Sequence, residues 1–527
     1  MTLKNCCGLA IATLLASVVS AQTLETVLDN GPPSNRVDLI FIGDGYTASQ
    51  VDTIYPGHVQ EELDYLFSGA DRNPFPRYKN FFNAHQITVI SNESGADQPP
   101  NGIFRDTALD ASYFTGGTER CLYFNTNKAN TAVNQALQGT GIDIDARLGL
   151  VNDPKYGGCG GQWAVYAAEN SAAADIGVHE LGHSLGNLAD EYFFPGTYTG
   201  PEPSEVNVTR SPNTGKWDRW VGYNDPDTNI GVIDYFEGGR YHEQGIYRPS
   251  NNSEMRSLFR PFDAVSREQF INKFYQEVDP LDAWLSNSVP LDNPASIWVD
   301  TVDPNVIEVE WFVDGTSVGN LGENLDVTSL GLASGTYSIE ARAYDGILDH
   351  SFSGNSLDWW RLPDDSNLRQ NISWTVSITA GITGDFNNDG TYDCQDIDDL
   401  VLQLATGSGD LSYDLTGDGT LDNGDLDQWL VEAGAVVNAS GGAFIKGDAN
   451  LDGVVDISDF NIWNGNKFTS SPMWCNGDFN ADGVVDISDF NIWNGNKFTS
   501  SDTPAVPEPA TWVLALLGMM VVVRFRR

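Results

Sequence analysis

The stretch RVDLIFIGDGY, from Arg36 to Tyr46, is an apolar run that ends in a glycine turn. A continuous apolar run of this length indicates a strand buried on both faces, as in a sheet covered by helices. Further along the chain, EELDYLFSG and REQFINKFYQEV carry apolar residues at helical spacing. We therefore predict an α/β domain over residues 22–290.

The sequence changes character between residues 291 and 380. VIEVEWFVDG and TYSIEARAYDG alternate apolar and polar residues and end in Asp-Gly turns. A period of two that ends in such turns is typical of antiparallel strands. We predict a separate β-sandwich domain over this region, so that the chain of 527 residues is a multidomain protein.

The charge balance limits the classes of partner. The chain has 73 acidic and 28 basic residues, a formal net charge of −45. Such a surface repels nucleic acid and anionic lipid, so nucleic acid is not expected as a partner. Clustered carboxylates do suit divalent cations.

Residues 1–21 have the features of a secretory signal peptide: Lys4, then an apolar stretch, then small residues before Gln22. Cleavage there leaves four cysteines in an exported and therefore oxidising environment. Within the first domain, Cys121 could pair with Cys159. The alternative is that all four cysteines are separate thiols.

The segment SAAADIGVHELGHSLGNLADEY, residues 171–192, contains the candidate catalytic residues. On a helix capped by Ser171, His179 and His183 lie four residues apart on one face, where two imidazoles can bind one Zn²⁺. Glu180 can take a proton from the attacking water and pass it to the leaving nitrogen. The alternative, two surface histidines on an amphipathic helix, fits poorly with the apolar residues around them.

A catalytic zinc takes three protein ligands, and the sequence offers two candidates for the third. Asp190 follows His183 by seven residues and could bind only if the chain turned back at Gly186-Asn187. We prefer Asp190 and keep Glu191 as the alternative. Either carboxylate could instead be an outer partner of a histidine.

The segment HELGHSLGNLADEY resembles the active site of the M64 metallopeptidases, the immunoglobulin A peptidase family. NRVDLIFIGDGYTASQ, PFPRYKNFFNAHQITVISNESGADQP and YGGCGGQWAVYAAEN also resemble that family. The resemblance implies a metzincin-like fold with a methionine turn below the metal, for which Met255 is the candidate. Ala189 stands where the metzincin pattern has its third histidine, which leaves the third ligand open.

Four repeats beyond residue 381 each place oxygen-bearing side chains at positions 1, 3, 5 and 12, with glycine at position 6. Hard oxygen ligands around a sharp glycine bend are the pattern of an EF-hand calcium loop, so about four Ca²⁺ are expected beside one Zn²⁺. The candidate calcium ligands are Asp385, Asn387, Asp389 and Asp396; Asp414, Thr416, Asp418 and Asp425; Asp448, Asn450, Asp452 and Asp459; and Asp478, Asn480, Asp482 and Asp489.

With aspartate at position 12 and loops in pairs, these repeats resemble dockerin modules, which implies two small α-helical calcium-loop modules over residues 381–436 and 444–501. GVVDISDFNIWNGNKFTSS recurs unchanged at 453–471 and 483–501, which indicates an internal duplication. The resemblance makes a cohesin-like partner one possibility. A calcium-stiffened spacer between enzyme and membrane is the other.

The tail VPEPATWVLALLGMMVVVRFRR, residues 506–527, has a Pro-Glu-Pro element, a short apolar run and a basic end. It resembles a PEP-CTERM sorting signal, which implies transient membrane anchoring at the cell surface of a bacterium with a Gram-negative-type envelope. The apolar run is short for a permanent membrane span, and a buried core helix is the structural alternative.

Together these features predict an exported zinc endopeptidase that hydrolyses peptide bonds of extracellular proteins. The alternative is a calcium-dependent surface adhesion or scaffold protein whose metal site is vestigial. An intact Glu180 favours the enzyme, because a purely structural zinc site needs no general base.

Overall fold

The computed structural model describes residues 22–213, 215–226, 230–348, 358–379 and 382–501. By its contacts the chain divides into two compact units, with the boundary between Ile378 and Thr379. The predicted signal peptide, residues 1–21, and the predicted sorting tail, residues 506–527, lie outside the described residues. In the described parts, no helix combines the length and apolar character needed to cross a membrane.

The first half of the N-terminal unit forms a six-stranded sheet in the order β1-β3-β2-β4-β6-β5. The four central strands are parallel, and the two edge strands β1 and β5 run antiparallel to their neighbours. The elements are β1 (Thr23–Leu28), β2 (Val37–Asp44), α1 (Tyr55–Leu66), β3 (Phe82–Thr88), α2 (Thr126–Ala136), β4 (Ala146–Val151), β5 (Gly158–Cys159), β6 (Ala164–Ala167) and α3 (Ala173–Ser184).

The β2 strand is buried along its whole length, as its apolar run predicts. Its side chains alternate between two hydrophobic clusters, because successive residues of a strand point to opposite faces. Leu39 and Phe41 pack in the cluster that contains residues of α1 and α3, whereas Ile40 and Ile42 pack in the cluster that contains residues of α2. The sheet is therefore covered on both faces by helices, which confirms a mixed α/β architecture.

A smaller sheet and a fourth helix complete the part of this unit that carries the candidate catalytic residues. The sheet has the order β10-β11-β7, with β11 antiparallel to β10 and parallel to β7. The elements are β7 (Phe193–Thr197), β8 (Asn224–Asp225), β9 (Gly231–Val232), β10 (Phe236–Gly239), β11 (Tyr241–Arg248) and α4 (Ala264–Glu277). The α4 helix packs Phe270 and Phe274 into the same cluster as α1 and α3.

The region predicted as a β-sandwich forms a three-stranded sheet, β12-β14-β17, and a five-stranded sheet, β13-β19-β18-β15-β16. The first strand of this region, β12, pairs antiparallel with β14 and lies before residue 291, where the predicted domain begins. Apolar residues of both sheets share one buried cluster with the preceding helices. The strands are β12 (Leu281–Trp284), β13 (Leu291–Asp292), β14 (Ser296–Thr301), β15 (Ile307–Val313), β16 (Thr316–Asn320), β17 (Asn324–Asp326), β18 (Gly335–Asp345) and β19 (Arg369–Ile378).

The described residues of the C-terminal unit are mainly helical and contain four α-helices, each of which begins within one of the repeats. A disulfide joins Cys394 to Cys475, and the buried apolar residues of all four repeats form one cluster. The two stretches predicted as separate modules therefore share a core. The elements are α5 (Cys394–Thr406), α6 (Asn423–Val437), β20 (Val454–Val455), α7 (Ile457–Asn466), α8 (Ile487–Asn496) and β21 (Thr499–Ser500).

Candidate metal centres

The α3 helix carries both candidate histidines on one face. The ring centroids of His179 and His183 are 5.0 Å apart, as expected for side chains one helical turn apart. The helix is buried over most of its length, so its apolar residues fix the position of both rings. The predicted cap Ser171 does not start the helix, which begins at Ala173, because Asn170 accepts a hydrogen bond from the Ala172 amide instead.

The chain reverses directly after α3. Asn187 adopts a left-handed backbone conformation with φ of 50°, and the Leu188 amide donates to the Gly182 carbonyl at 3.0 Å. Left-handed conformations at a helix end are common for glycine and asparagine. The reversal places Oδ1 of Asp190 at 3.1 Å from His179 Nε2 and 3.4 Å from His183 Nε2. The turn that the sequence predicted at Gly186-Asn187 thus brings Asp190 back to the histidines.

These three side chains form a group that fits a metal ion. One ligand atom from each of His179, His183 and Asp190 lies within 4.8 Å of the other two. Nδ1 of His179 lies 2.9 Å from the Glu254 carbonyl, and Nδ1 of His183 lies 2.7 Å from the Leu188 carbonyl. When each Nδ1 donates to its carbonyl, both Nε2 atoms are left as acceptors that face Asp190. Two nitrogens and one carboxylate oxygen are a donor set that suits zinc.

Electrostatics couple the three side chains strongly. Burial alone would lower the pKa of His183, but the hydrogen bond and the negative charge of Asp190 raise it to about 9. Burial favours the neutral form of Asp190, yet the two imidazoles hold the pKa of that carboxyl well below its usual range. Without a metal ion, the carboxylate therefore stabilises a protonated imidazole in the place where a cation would bind.

Glu180 lies beside this group and has an unused oxygen. Its side chain is buried, and Oε2 has no hydrogen-bond partner among the described residues. Burial raises the pKa of Glu180, against the lowering effect of the two histidines. A Cβ on Gly160 would lie 2.6 Å from that Oε2, so the glycine lets the chain after β5 pass directly over Glu180. Such a carboxyl can exchange a proton with a nearby water.

Glu191, the alternative third ligand, points away from the histidines. It is fully buried, accepts hydrogen bonds from Asn207 at 3.0 Å and Ser253 at 2.7 Å, and lies outside the converging group. Burial and the nearby charge of Asp263 raise its pKa to about 8. Of the two carboxylates that the sequence left open, the structure brings Asp190 to the histidines.

Met255 lies below the helix, where the methionine turn was expected. It is fully buried, and a Cβ on Gly182 would come within 2.5 Å of its sulfur. Its carbonyl accepts a hydrogen bond from the Glu191 amide at 2.7 Å. The segment that holds Met255 thus contacts both α3 and the chain that carries Asp190.

The three candidate ligands and Glu180 line an open cavity of about 940 Å³. A disulfide between Cys121 and Cys159 lies in its wall. Tyr241 also lines the cavity and donates a hydrogen bond to Oδ2 of Asp190. The cavity walls therefore come from segments that are far apart in the sequence. Neither the Glu254 carbonyl nor the tyrosine contact had a local sequence signal.

The region that contains the α3 helix is similar to a known protein family. Residues 26–230 match the model of the IgA Peptidase M64 family. The match includes α3 and Asp190, ends before Met255, and indicates a peptidase. The peptidases of this family are metallopeptidases, which agrees with a metal site at His179, His183 and Asp190. A search of curated proteins found no match.

Outside the M64-like region, the four predicted calcium loops share one geometry. The position-6 glycines Gly390, Gly419, Gly453 and Gly483 have left-handed φ values between 83° and 87°. Each position-12 aspartate is also the third residue of a helix, where it closes a capping box with the aspartate before that helix. Each repeat therefore leads from a glycine bend into a capped helix.

The predicted ligand side chains of the loops do not converge as those of His179, His183 and Asp190 do. In the part of the chain that the structure describes, the group around His179 is the one whose ligand atoms converge. Within the loops, carboxylates bond backbone amides instead; Oδ2 of Asp448, for example, accepts from the Gly453 amide at 2.8 Å. Burial and the charge of Asp459 raise the pKa of Asp448 to about 7. These buried carboxylates repel one another, which a bound cation would relieve.

Proposed function

We propose that this protein is an exported zinc-dependent endopeptidase that cleaves peptide bonds of extracellular proteins. The observation that carries the proposal is the convergence of His179, His183 and Asp190 beside Glu180. A structural zinc site is normally closed by four protein ligands, whereas this group has three and opens into a large cavity. The open side leaves room for a water and a substrate.

The residues that would hold zinc are Nε2 of His179, Nε2 of His183 and a carboxylate oxygen of Asp190. The ion, when bound, supplies a Lewis acid that polarises the scissile carbonyl and lowers the pKa of water to about 7. The backbone carbonyls of Glu254 and Leu188 hold the imidazoles in the required tautomer. The contact of Asp190 with Tyr241 holds the carboxylate in place.

Glu180 performs the proton transfers in this mechanism. Its carboxylate takes a proton from the attacking water as the water oxygen bonds to the carbonyl carbon. It then delivers that proton to the leaving nitrogen as the carbon–nitrogen bond breaks. A pKa raised by burial suits both steps, because the group must accept and then donate within one cycle.

The test is cleavage of a panel of denatured proteins by wild type and by Glu180→Gln. Glutamine keeps the shape of the side chain but cannot accept the proton, so we expect a loss of at least about 100-fold. Glu277→Gln, an exposed position at the end of α4, is the matched control and should remain active. Equal activity of wild type and Glu180→Gln would contradict the proposal, and inactivity of both would favour the adhesion or scaffold protein.

We also propose that the C-terminal unit binds about four Ca²⁺ and acts as a stiff spacer that holds the enzyme at the cell surface. The four capped loops and their oxygen ligands support calcium binding. Two disulfides fit an oxidising compartment outside the cytoplasm. Calcium-dependent binding of an isolated cohesin domain to the full chain would instead assign this unit to partner recognition.

A further inference from the structure

The catalytic cavity has two arginines in its lining, Arg120 and Arg256. Arg120 is exposed and Arg256 is half-buried, and the chain has 73 acidic residues that could pair with them. Among the described residues, neither of these two has a carboxylate within 4.0 Å. Arginines left without carboxylates in a substrate cavity are available to a ligand.

Arg120 is held in place at its backbone. Its carbonyl accepts a hydrogen bond from the Gly158 amide on β5 at 3.1 Å. The next residue, Cys121, is disulfide-bonded to Cys159 on the same strand. The backbone at Arg120 therefore needs little further ordering when the side chain binds a ligand.

The guanidinium of Arg120 reaches towards the metal ligands. Its Nη2 donates to the hydroxyl of Tyr192 at 3.1 Å, and Cζ lies 5.2 Å from the centroid of that ring. The Tyr192 ring packs at 5.3 Å from the ring of Tyr241, which bonds Asp190. Arg120 and Glu180 also line the same cavity. Arg120 is therefore near the reacting groups.

The contacts of Arg120 leave most of its hydrogen-bonding capacity unused. A guanidinium has five N–H donors in a planar fork, and the hydrogen bond to Tyr192 uses a single nitrogen. A fork of this kind matches a carboxylate, with which it forms two parallel hydrogen bonds. The tyrosine contact fixes the direction of the guanidinium without neutralising its charge.

We propose that Arg120 is a specificity residue that binds a carboxylate of the peptide substrate close to the bond that is cleaved. The inference rests on the proposed peptidase function and adds the substrate class. The carboxylate is either the side chain of an aspartate or glutamate or the C-terminal group of the peptide. The net charge of −45 repels acidic peptides at long range, but screening over about 8 Å at physiological salt leaves the local contact dominant.

The experiment is a cleavage profile of the full-length protein with zinc and calcium on a proteome-derived peptide library. Wild type, Arg120→Gln, Arg120→Lys and Arg210→Gln are compared. We expect wild type to prefer acidic over amide side chains at one position by about tenfold or more. Arg120→Gln should lose that preference, whereas Arg120→Lys should keep part of it as a point charge without the fork. Arg210, an exposed arginine outside the cavity, is the control and should behave as wild type.

A second readout separates substrate binding from catalysis. A fluorescent peptide with the preferred glutamate, and its glutamine counterpart, are titrated into Glu180→Gln with and without Arg120→Gln. Arg120→Gln should weaken binding of the glutamate peptide about tenfold and leave the glutamine peptide unchanged. Peptides with free and amidated C-termini then distinguish the two sources of carboxylate.

The outcomes separate this inference from the proposed function. Cleavage and binding that depend on neither an acidic side chain nor a free C-terminus, or a dependence that survives in Arg120→Gln, overturn the role of Arg120 and leave the peptidase proposal intact. If wild type cleaves nothing in the library, the peptidase proposal itself fails, and the specificity role fails with it.

Discussion

Met255 lies directly against Gly182 of the α3 helix, and a Cβ on the glycine would come within 2.5 Å of the methionine sulfur. Gly182 is next to His183, so the contact sets the distance between the helix and the segment below it. Gly182 does not adopt a left-handed backbone conformation, so backbone conformation does not explain why a glycine stands here. Close packing of two segments is the reason for a glycine here.

The first prediction concerns this contact. We expect Gly182→Ala to lower the free energy of unfolding by about 1–3 kcal/mol, because an added methyl group overpacks the site. The helix should shift and zinc affinity should fall as well. Chemical denaturation and zinc titration measure the two effects. Gly57→Ala in α1 is the matched control: nothing lies within 4 Å of its Cβ position, so the variant should be neutral or up to about 1 kcal/mol more stable. Equal stability of Gly182→Ala and Gly57→Ala would contradict close packing of Met255 against Gly182.

The second prediction distinguishes the two adjacent carboxylates. Asp190→Asn should weaken zinc binding by at least about 100-fold, because it removes a charged ligand from between two imidazoles. Glu191→Gln should keep zinc, since Glu191 bonds Asn207 and Ser253 rather than the metal group. Competition with a fluorescent chelator measures both affinities. Loss of zinc in Glu191→Gln alone would reverse the assignment.

Much of this site could be predicted from the sequence because its signals are local. The four-residue spacing of His179 and His183 determines a common helix face, whatever the rest of the chain does. The choice between Asp190 and Glu191 depends on where the chain turns, which is at Asn187. A turn displaced by one residue would bring the other carboxylate to the histidines, and the sequence does not fix its position that closely. Arg120 comes from a remote segment, and no local pattern marks it.

In the fold, too, some features follow from local sequence patterns and others depend on residues far apart in the chain. The buried strand β2 and the four capped loop-helix units follow from local patterns of apolar and acidic residues. The shared core of the C-terminal unit does not, because Cys394 and Cys475 are 81 residues apart. Strand β12 precedes the region predicted as a β-sandwich, and only its pairing with β14 reveals that it belongs there.

The third prediction concerns pH and the buried carboxyl of Glu62, which packs against Gly177 of α3. Burial, and to a lesser degree the charge of Asp175, raises its pKa well above the usual range. Because the unfolded chain ionises this group near pH 4.3 and the folded chain does not, stability falls as the pH rises above that value. Glu62→Gln should remove this loss and be at least about 1 kcal/mol more stable than wild type at pH 8, with little difference at pH 4.

Urea denaturation at both pH values measures the effect of Glu62→Gln. Asp64→Asn, at an exposed position of α1, is the control and should leave the pH dependence of stability unchanged. A Glu62→Gln variant that is less stable than wild type at pH 8 would show that the carboxyl is ionised and paired in the folded protein.

The fourth prediction concerns calcium. Removal of calcium should lower the unfolding temperature of the C-terminal unit, because the buried carboxylates of the loops then face one another without a cation. Asp482→Asn, at position 5 of the fourth loop, should reduce the bound calcium by about one ion per chain. Asp427→Asn, an exposed aspartate outside the loops, is the control. Calorimetry with and without chelator, and equilibrium dialysis, provide the measurements; an unchanged calcium content in Asp482→Asn would contradict the assignment.

The most direct test of the account is anomalous diffraction at the zinc absorption edge from crystals of the purified protein. We predict one strong peak about 2.0–2.1 Å from Nε2 of His179 and of His183, with an oxygen of Asp190 at a similar distance. Clear electron density for the three side chains with no anomalous peak between them, or imidazoles that point away from each other, would contradict the metal site. The proposed peptidase activity, which depends on that site, would then fail as well.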